Sequence, residues 1–483
     1  MDWISDHWLA GVLLAGYTAV LFYHAHVGRK HSQSLDDYYV GGRKMGGFVV
    51  GVSFFATFAS TNTYIGNAGK GYEYGIPWLL TALVMVVFTY LSWTFVAPRL
   101  RRFASHFDAL TLPDYLANRF VSERQVLRVA AAMVIIFSSI LYLVAIFKGA
   151  GNLFQQFLEV RYEVAVGLVL VVVMLYTSIG GFISVVRTDV LQGFLMVIGS
   201  VTIFYFVTDA AGGVFVLPEL KNLPGGAHLF DWNAAIPLFV LLGIALSGSL
   251  KLLVDPRQVS RFYALKDERS VNVGLWVALT GIVLIMFCLF PIGLYAHFLL
   301  DGVTDTDMIV PLLVNDRSVF PLWVGDFLII AMLAAAMSSM DSVLLVAASV
   351  LYKDLVEVAS PVAHPLTWTR GGVVGLAAVS ALVALRPPGD IIEITIFSGS
   401  LYAVCFFPAL VFGLHWRRGS AWAVLASMAL GVSVLIGWLL LGLGAYVHEV
   451  FPALLVSCVA YLCVSRMTTD AIQQWPDAAP APD

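Results

Sequence analysis

The chain has 483 residues, of which 60% are hydrophobic and only 12% are charged, and its formal net charge is −4. Soluble domains carry about 25% charged residues, so the composition excludes a soluble globular protein and predicts a polytopic protein of the lipid bilayer. No basic stripe is present, which excludes nucleic acid as a partner.

Thirteen apolar stretches are each long enough, at roughly 20 residues, to cross a membrane as an α-helix. They predict an all-α integral membrane fold with termini on opposite sides. The stretches lie near residues 7–27, 47–72, 76–98, 129–157, 161–180, 188–211, 234–256, 271–299, 321–350, 371–387, 391–414, 420–444 and 447–465.

The first stretch is predicted to stay in the membrane as a helix. Asp2 and Asp6 precede it and Arg29 and Lys30 follow it, the reverse of a cleavable signal peptide. With the N-terminus outside, 20 of the 27 Lys and Arg residues fall in inner loops or inner helix ends, as the positive-inside rule requires. We therefore expect a multi-pass protein of the cell (plasma or inner) membrane with a cytoplasmic C-terminal tail at 467–483.

The second stretch is predicted to contain a break. Small and β-branched residues cluster at 56–63, with several glycines after them. Unwinding there would release backbone carbonyls, which is allowed at membrane depth only where the backbone lines a cavity. The alternative is a tight seam between packed helices. Packing alone does not explain Asn62 and Thr63, because each needs a polar partner at this depth.

The ninth stretch contains Ala-Ala-Met-Ser-Ser-Met-Asp-Ser, which places polar groups where they usually mark an ion site or a pathway. Ala335, Ser338 and Ser339 relate as i, i+3 and i+4 and share one face. Sodium is a hard cation that binds oxygen ligands, and local distortion of the helix would add a carbonyl to the two hydroxyls. The alternative is that both serines bond to their own helix. That alternative leaves Asp341 unexplained, and Asp341 and Ser342 extend the same face.

Three further charged residues have more than one interpretation each. Asp189 is either a carboxylate at a helix start or an acid on the inner exit route of an ion. Lys251 either snorkels to the inner interface, pairs with an acidic substrate or stands in for a cation. The Ser-Gly-Ser at 247–249 is a candidate second break. Lys148, near the outer end of the fourth stretch, likewise either snorkels to the interface or pairs with an acidic substrate.

The sequence shows no enzyme signature. It contains no His-Glu-x-x-His motif, no phosphate-binding glycine loop and no Gly-x-Ser-x-Gly elbow. The protein is therefore predicted not to be an enzyme.

Several motifs together resemble the sodium/solute symporter family, which includes proline, pantothenate, sugar, sialate and monocarboxylate carriers. The motifs lie at 37–43, 69–75, 111–116, 180–192, 261–267, 335–342 and 415–418. The resemblance implies a leucine-transporter-like core of two inverted five-helix repeats. It divides the chain into an extra helix and loop at 1–46, a first repeat at 47–211, an outer loop at 212–233, a second repeat at 234–418, two helices at 419–466 and the tail.

The resemblance also implies a sodium-coupled symporter that imports a small organic solute by alternating access. Carried over by position, the sodium ligands are the carbonyls of Ala56, Ala59 and Ala335 and the hydroxyls of Ser338 and Ser339. The ion pathway is assigned to Asp189, Asp341 and Ser342. A second sodium is not expected, because Asp341 stands where some members have a hydroxyl ligand.

The substrate contacts of sugar carriers match Phe58, Asn62 and Thr63, where the sugar-type residues are absent. A sugar is therefore disfavoured, and an organic acid or amino acid is preferred, with Lys148 as its anion partner. Two alternatives stay open. One is a proton-coupled symporter of the same fold, with Asp341 or Asp189 as carrier. The other is a transporter-like membrane sensor.

Overall fold

The computed structural model describes residues 7–32, 34–122, 125–233, 235–360 and 362–468, and these ranges contain helices and loops but no β-strand. The predicted tail at 467–483 lies outside the described residues from position 469 onward. The long helices are α1 (Trp8–His31), α2 (Gly47–Phe58), α3 (Asn62–Tyr74), α4 (Ile76–His106), α5 (Val126–Leu158), α6 (162–180), α7 (182–210), α8 (Leu238–Val254), α9 (Pro256–Ala264), α10 (Glu268–Ala296), α11 (Leu322–Ala359), α12 (Pro365–Ala384), α13 (Ile391–His415), α14 (Ala421–Leu440) and α15 (Val450–Met467).

The number of membrane spans depends on one glycine. The continuous helical segment Tyr162–Ala210 has 49 residues, which at 1.5 Å per residue is roughly twice the hydrocarbon thickness of a bilayer. Gly181 has φ +65° and ψ −172° and separates α6 from α7; only glycine adopts this backbone conformation readily. The described residues contain up to 12 apolar spans when α2 and α3 count as one bent span. Dividing Tyr162–Ala210 at Gly181 adds one more and gives the predicted number.

The predicted break in the second stretch is confirmed between α2 and α3, whose axes differ by 57°. Ala59 is extended, with φ −70° and ψ 117°. Side chains near the break replace the lost helical bonds, because the Ser60 amide donates to Thr63 Oγ1 and the Asn62 amide donates to Ser60 Oγ. Ser and Thr compete with the helix in this way, which explains why the break lies in this polar cluster.

The candidate second break at 247–249 is not observed. Helix α8 runs without interruption to Val254, and the chain bends at Asp255, which has φ −64° and ψ 124°. Pro256 follows, and a residue before proline avoids the helical conformation. Asp255 also caps α9 by accepting a hydrogen bond from the Arg257 amide at 2.9 Å.

Helix α11 lies at the centre of the protein. In its most apolar window 94% of the residues are buried, compared with 22% for α1. Helices α1, α2, α5, α7, α9 and α12 pack against α11, whereas α14 and α15 lie further out. Any polar group on the middle of α11 must therefore find its partners within the protein.

Candidate functional site

Backbone carbonyls lose their helical hydrogen bonds where α2 ends. The Ser60 amide would bond the carbonyl four residues earlier in a continuous helix, but it donates to Thr63 Oγ1 at 3.2 Å instead. The Ser339 hydroxyl, on α11, donates to the carbonyls of Thr57 at 3.0 Å and Ala59 at 3.3 Å. The broken helix and the paired-serine helix therefore meet at carbonyls that α2 no longer uses.

The other expected sodium ligands lie on the same two helices. Ala56 carries the carbonyl that the break leaves without its helical amide. Ala335 is in uninterrupted α-helix, so no distortion frees its carbonyl, although a carbonyl has a second lone pair. Ser338 is fully buried and donates to Asp189 Oδ1 at 2.8 Å. Its hydrogen is used in that bond, so the lone pairs of its oxygen are free to bind a cation.

Arg261 lies on the other side of Asp189. Its Nη2 is 3.3 Å from Asp189 Oδ2, 2.6 Å from Thr57 Oγ1 and 2.5 Å from Ser342 Oγ. Ser53 also donates to Asp189, at 2.6 Å. Both members of the ion pair are completely buried. Every residue of α9 is buried, so Arg261 lies inside the protein.

The two aspartates of the expected ion pathway have different surroundings. Asp189 is two turns inside α7 rather than at a helix start, so the helix-dipole interpretation does not apply. Asp341 is also fully buried and accepts a hydrogen bond from Thr177 at 2.6 Å. Among the described residues no Lys, Arg or His lies within ion-pair distance of Asp341. The two aspartates therefore do not share one cation partner.

A second polar region surrounds a small cavity of about 30 Å³. The residues predicted to contact the solute, Phe58, Asn62 and Thr63, all line it. Its other lining residues come from α3, α4, α5, α8, α9 and α13, and are Asn67, Trp78, Thr81, Met85, Tyr142, Ile244, Gly248, Lys251, Arg257, Ile392, Thr395 and Ile396. The cavity thus adjoins the break that also serves the sodium region.

Two basic residues line this cavity. Lys251 is 5% exposed, and its Nζ lies 3.3 Å from the Thr395 carbonyl. The guanidinium of Arg257 binds both carboxylate oxygens of Asp255 and stacks over the Tyr142 ring, 3.8 Å from the ring centroid. Arg257, Asp255 and Tyr142 are not among the site residues predicted from sequence, although the Asp-Pro pair at the end of an apolar stretch is a signal for the break.

Lys148 is not among the residues that line the cavity. Its Nζ lies 2.8 Å from Asp307 and 3.7 Å from Asp390. Asp390 also lies 3.6 Å from Lys70 of α3. Burial raises the pKa of Asp307 and Lys148 opposes that rise. The structure thus places Lys148 in a charge network with a loop and the start of α13.

The sequence is similar to known transport proteins along most of its length. A family model described as the sodium:solute symporter family matches residues 38–431. The osmoregulated proline transporter OpuE of Bacillus subtilis is 28% identical over 452 residues, covering 91% of this chain and 91% of that protein. The sodium/pantothenate symporter of Escherichia coli is 28% identical over 480 residues, covering 95% of this chain and 97% of that protein.

Solved structures share the architecture. A Na⁺-coupled sialic acid symporter in a substrate-bound outward-open state gives a TM-score of 0.81 at 20% identity, covering 95% of this chain and 98% of that one. The nucleobase-cation-symport-1 family transporter Mhp1 in a closed conformation gives 0.56 at 12% identity, covering 89% and 95%. At these identities the likeness concerns the fold alone, and it confirms the leucine-transporter-like core.

Proposed function

Because the chain belongs to the sodium:solute symporter family, we propose that its coupling sodium ion binds between α2 and α11, at the break that ends α2. The protein is a sodium-coupled symporter that imports a small organic solute, and it is not an enzyme. The ligands in this proposal are the carbonyls of Ala56, Ala59 and Ala335 and the hydroxyls of Ser338 and Ser339.

One contact carries the proposal. The Ser339 hydroxyl, fully buried on α11, reaches the carbonyls of Thr57 and Ala59 on the broken helix. Three oxygens from two helices, of which those of Ala59 and Ser339 are proposed ligands, therefore gather at one buried point, which is the environment that a hard cation prefers. An ion bound there would hold α11 against α2 and stabilise the arrangement in which the two helices touch.

The solute in this proposal binds in the cavity lined by Phe58, Asn62 and Thr63, and access alternates between the two sides of the membrane. Asp189 and Ser342 lie next to the sodium ligands on the side of α9 and form the inner part of the ion route. The relatives named for proline and pantothenate carry small carboxylic acids, which supports an organic acid or amino acid as solute.

Proton coupling is a second candidate. It is favoured by Asp341, a fully buried carboxyl group without a described basic partner. Uptake measured against sodium concentration at fixed pH, and against pH at fixed sodium, separates the two coupling ions. Sodium coupling predicts saturable stimulation by sodium at every pH that leaves the protein folded.

The proposal extends to the membrane orientation and to the repeat boundaries. The N-terminus is placed outside and the C-terminus in the cytoplasm, with repeats at 47–211 and 234–418. Each repeat then begins with a broken helix, α2–α3 and α8–α9, which supports these bounds. A cysteine introduced at Asp231, in the loop between the repeats, is expected to react with an impermeant maleimide added outside intact cells.

Sodium binding is tested with the variant Ser338→Ala/Ser339→Ala in the full chain. Sodium at a hundredfold excess over Kd should stabilise the wild-type protein by about 2.7 kcal/mol relative to potassium. The double variant should lose this stabilisation, together with sodium-stimulated uptake into proteoliposomes. Ser349→Ala is the matched control, because that buried hydroxyl on α11 donates only to the Leu345 carbonyl of its own helix. Normal sodium dependence in the double variant would refute the proposed site.

A further inference from the structure

The solute cavity contains a buried ammonium group with no acidic partner. Lys251 Nζ contacts the Thr395 carbonyl at 3.3 Å, and it lies 5.6 Å from the centroid of the Tyr142 ring. A lysine ammonium has three N–H donors. No Asp or Glu of the described residues lies within ion-pair distance of it. Among the described residues, the Lys251 amino group at the cavity wall therefore has one hydrogen-bond acceptor and no acidic partner.

Packing against α13 fixes the position of the Lys251 side chain. A Cβ built on Gly399 of α13 would lie 3.0 Å from Lys251 Cδ and 3.1 Å from its Cε. The stem thus runs along a groove that the glycine leaves open. The ammonium is held between α8 and α13 at the cavity wall, so snorkelling to the membrane interface does not describe it.

The charges around the cavity do not balance. Arg257 is compensated by Asp255, which it binds through two nitrogens. Lys251 adds one positive charge, and no Asp or Glu is among the described lining residues. Buried charges need a partner of opposite sign, and an ammonium group on a solute would find none here.

We infer that the solute has a single carboxylate and no ammonium group, and that Lys251 is the charge partner of that carboxylate. This inference rests on the proposed function and names the substrate class of the same cavity. The amides of Asn62 and Asn67 suit a hydroxyl or keto oxygen on the solute, and Phe58 and Trp78 suit a short apolar segment. The class is therefore small hydroxy- or keto-monocarboxylic acids, rather than amino acids or sugars.

A series of small solutes tests the class on the wild-type protein without any mutation. Lactate, pyruvate, propionate, lactamide, alanine and glucose are added to the purified full chain in sodium buffer, and binding is measured by calorimetry. Lactamide lacks the charge of lactate, and alanine replaces its hydroxyl with an ammonium group. We expect lactate or pyruvate to bind at least about 30-fold more tightly than lactamide or alanine. Loss of one partner of a buried charge pair has an effect of this size. Equal or tighter binding of alanine or glucose would overturn the inference.

Lysine variants test the partner. Lys251→Met should weaken carboxylate binding by about 30-fold or more while sodium still raises the melting temperature. Lys353→Met is the control, because Lys353 pairs with Glu357 away from the cavity. Lys148→Met tests the partner predicted from sequence, and a loss confined to that variant would overturn the assignment. If Lys251→Met instead keeps carboxylate binding and acquires steeper sodium dependence, Lys251 stands in for a cation and the inference is refuted.

The experiments separate this inference from the proposed function. A wild-type protein that sodium does not stabilise would refute sodium binding. A protein that sodium stabilises, and that binds no carboxylate of the series, would refute only the substrate class. If Lys251→Met does not fold, Gly399→Ala displaces the same ammonium without removing it and should weaken carboxylate binding in the same direction.

Discussion

The sodium region and the solute cavity differ in how their polar groups are paired. In the sodium region the side chains bind one another, with Ser338 donating to Asp189 and Asp189 paired with Arg261. In the cavity the Lys251 ammonium donates to one backbone carbonyl and has no acidic partner among the described residues. A network that is closed on itself holds helices in register, whereas an ammonium without an acidic partner gains most from a bound anion.

Helix α9 connects the two regions. Arg257 lines the cavity, and Arg261, one helical turn further on, contacts Thr57 and Ser342 beside the proposed sodium ligands. Because α9 carries one arginine at each region, this helix links the two regions physically. Substitutions that affect one region and not the other therefore test how separate the regions are.

The largest effect is expected from Arg261→Met. This change leaves Asp189 buried and unpaired, so the free energy of unfolding should fall by about 3–5 kcal/mol in sodium-free buffer. The uncompensated carboxylate should also attract sodium, so apparent sodium affinity should rise. Thermal unfolding in sodium and in choline measures both effects. Adding Asp189→Asn should restore most of the stability, and a double variant as unstable as Arg261→Met alone would argue against the ion pair.

A smaller effect is expected from Gly399→Ala. The new Cβ would lie 2.9 Å from the Ser247 carbonyl and close to the Lys251 stem, and overpacking of this kind costs about 1–3 kcal/mol. Solute affinity should fall while the sodium concentration for half-maximal stabilisation stays the same. Gly437→Ala is the control, since a Cβ there meets nothing within 4 Å. If sodium affinity fell by the same factor as solute affinity, the two regions would not be independent.

The smallest effect is expected from Asp341→Asn. The amide keeps the oxygen that accepts from Thr177 and removes a charge that no described basic residue pairs with. Stability should change by less than about 1 kcal/mol, and sodium-stimulated uptake should persist. Loss of sodium stimulation, as expected for the double serine variant, would instead mean that the Asp341 carboxylate serves a cation.

Much of the fold could be predicted from the sequence because hydropathy is a local property. Apolar length located the thirteen spans, and the cluster at 56–63 located the first break, where Ser60 and Thr63 offer local hydrogen bonds. The break at Asp255 was misplaced because the Ser-Gly-Ser at 247–249 was preferred to the Asp-Pro pair. Proline restricts the preceding residue directly, whereas serine and glycine are tolerated within a packed helix.

The sequence by itself determined the membrane class, the spans and the shared face of Ala335, Ser338 and Ser339, because these follow from composition and helical period. Only the tertiary structure decided which lysine faces the solute cavity and that Arg261 lies against Asp189. Lys148 and Lys251 have the same chemistry, and each helix's rotation about its axis decides what its side chain meets. That rotation is set by packing between segments far apart in the chain, such as Arg261 against Ser342.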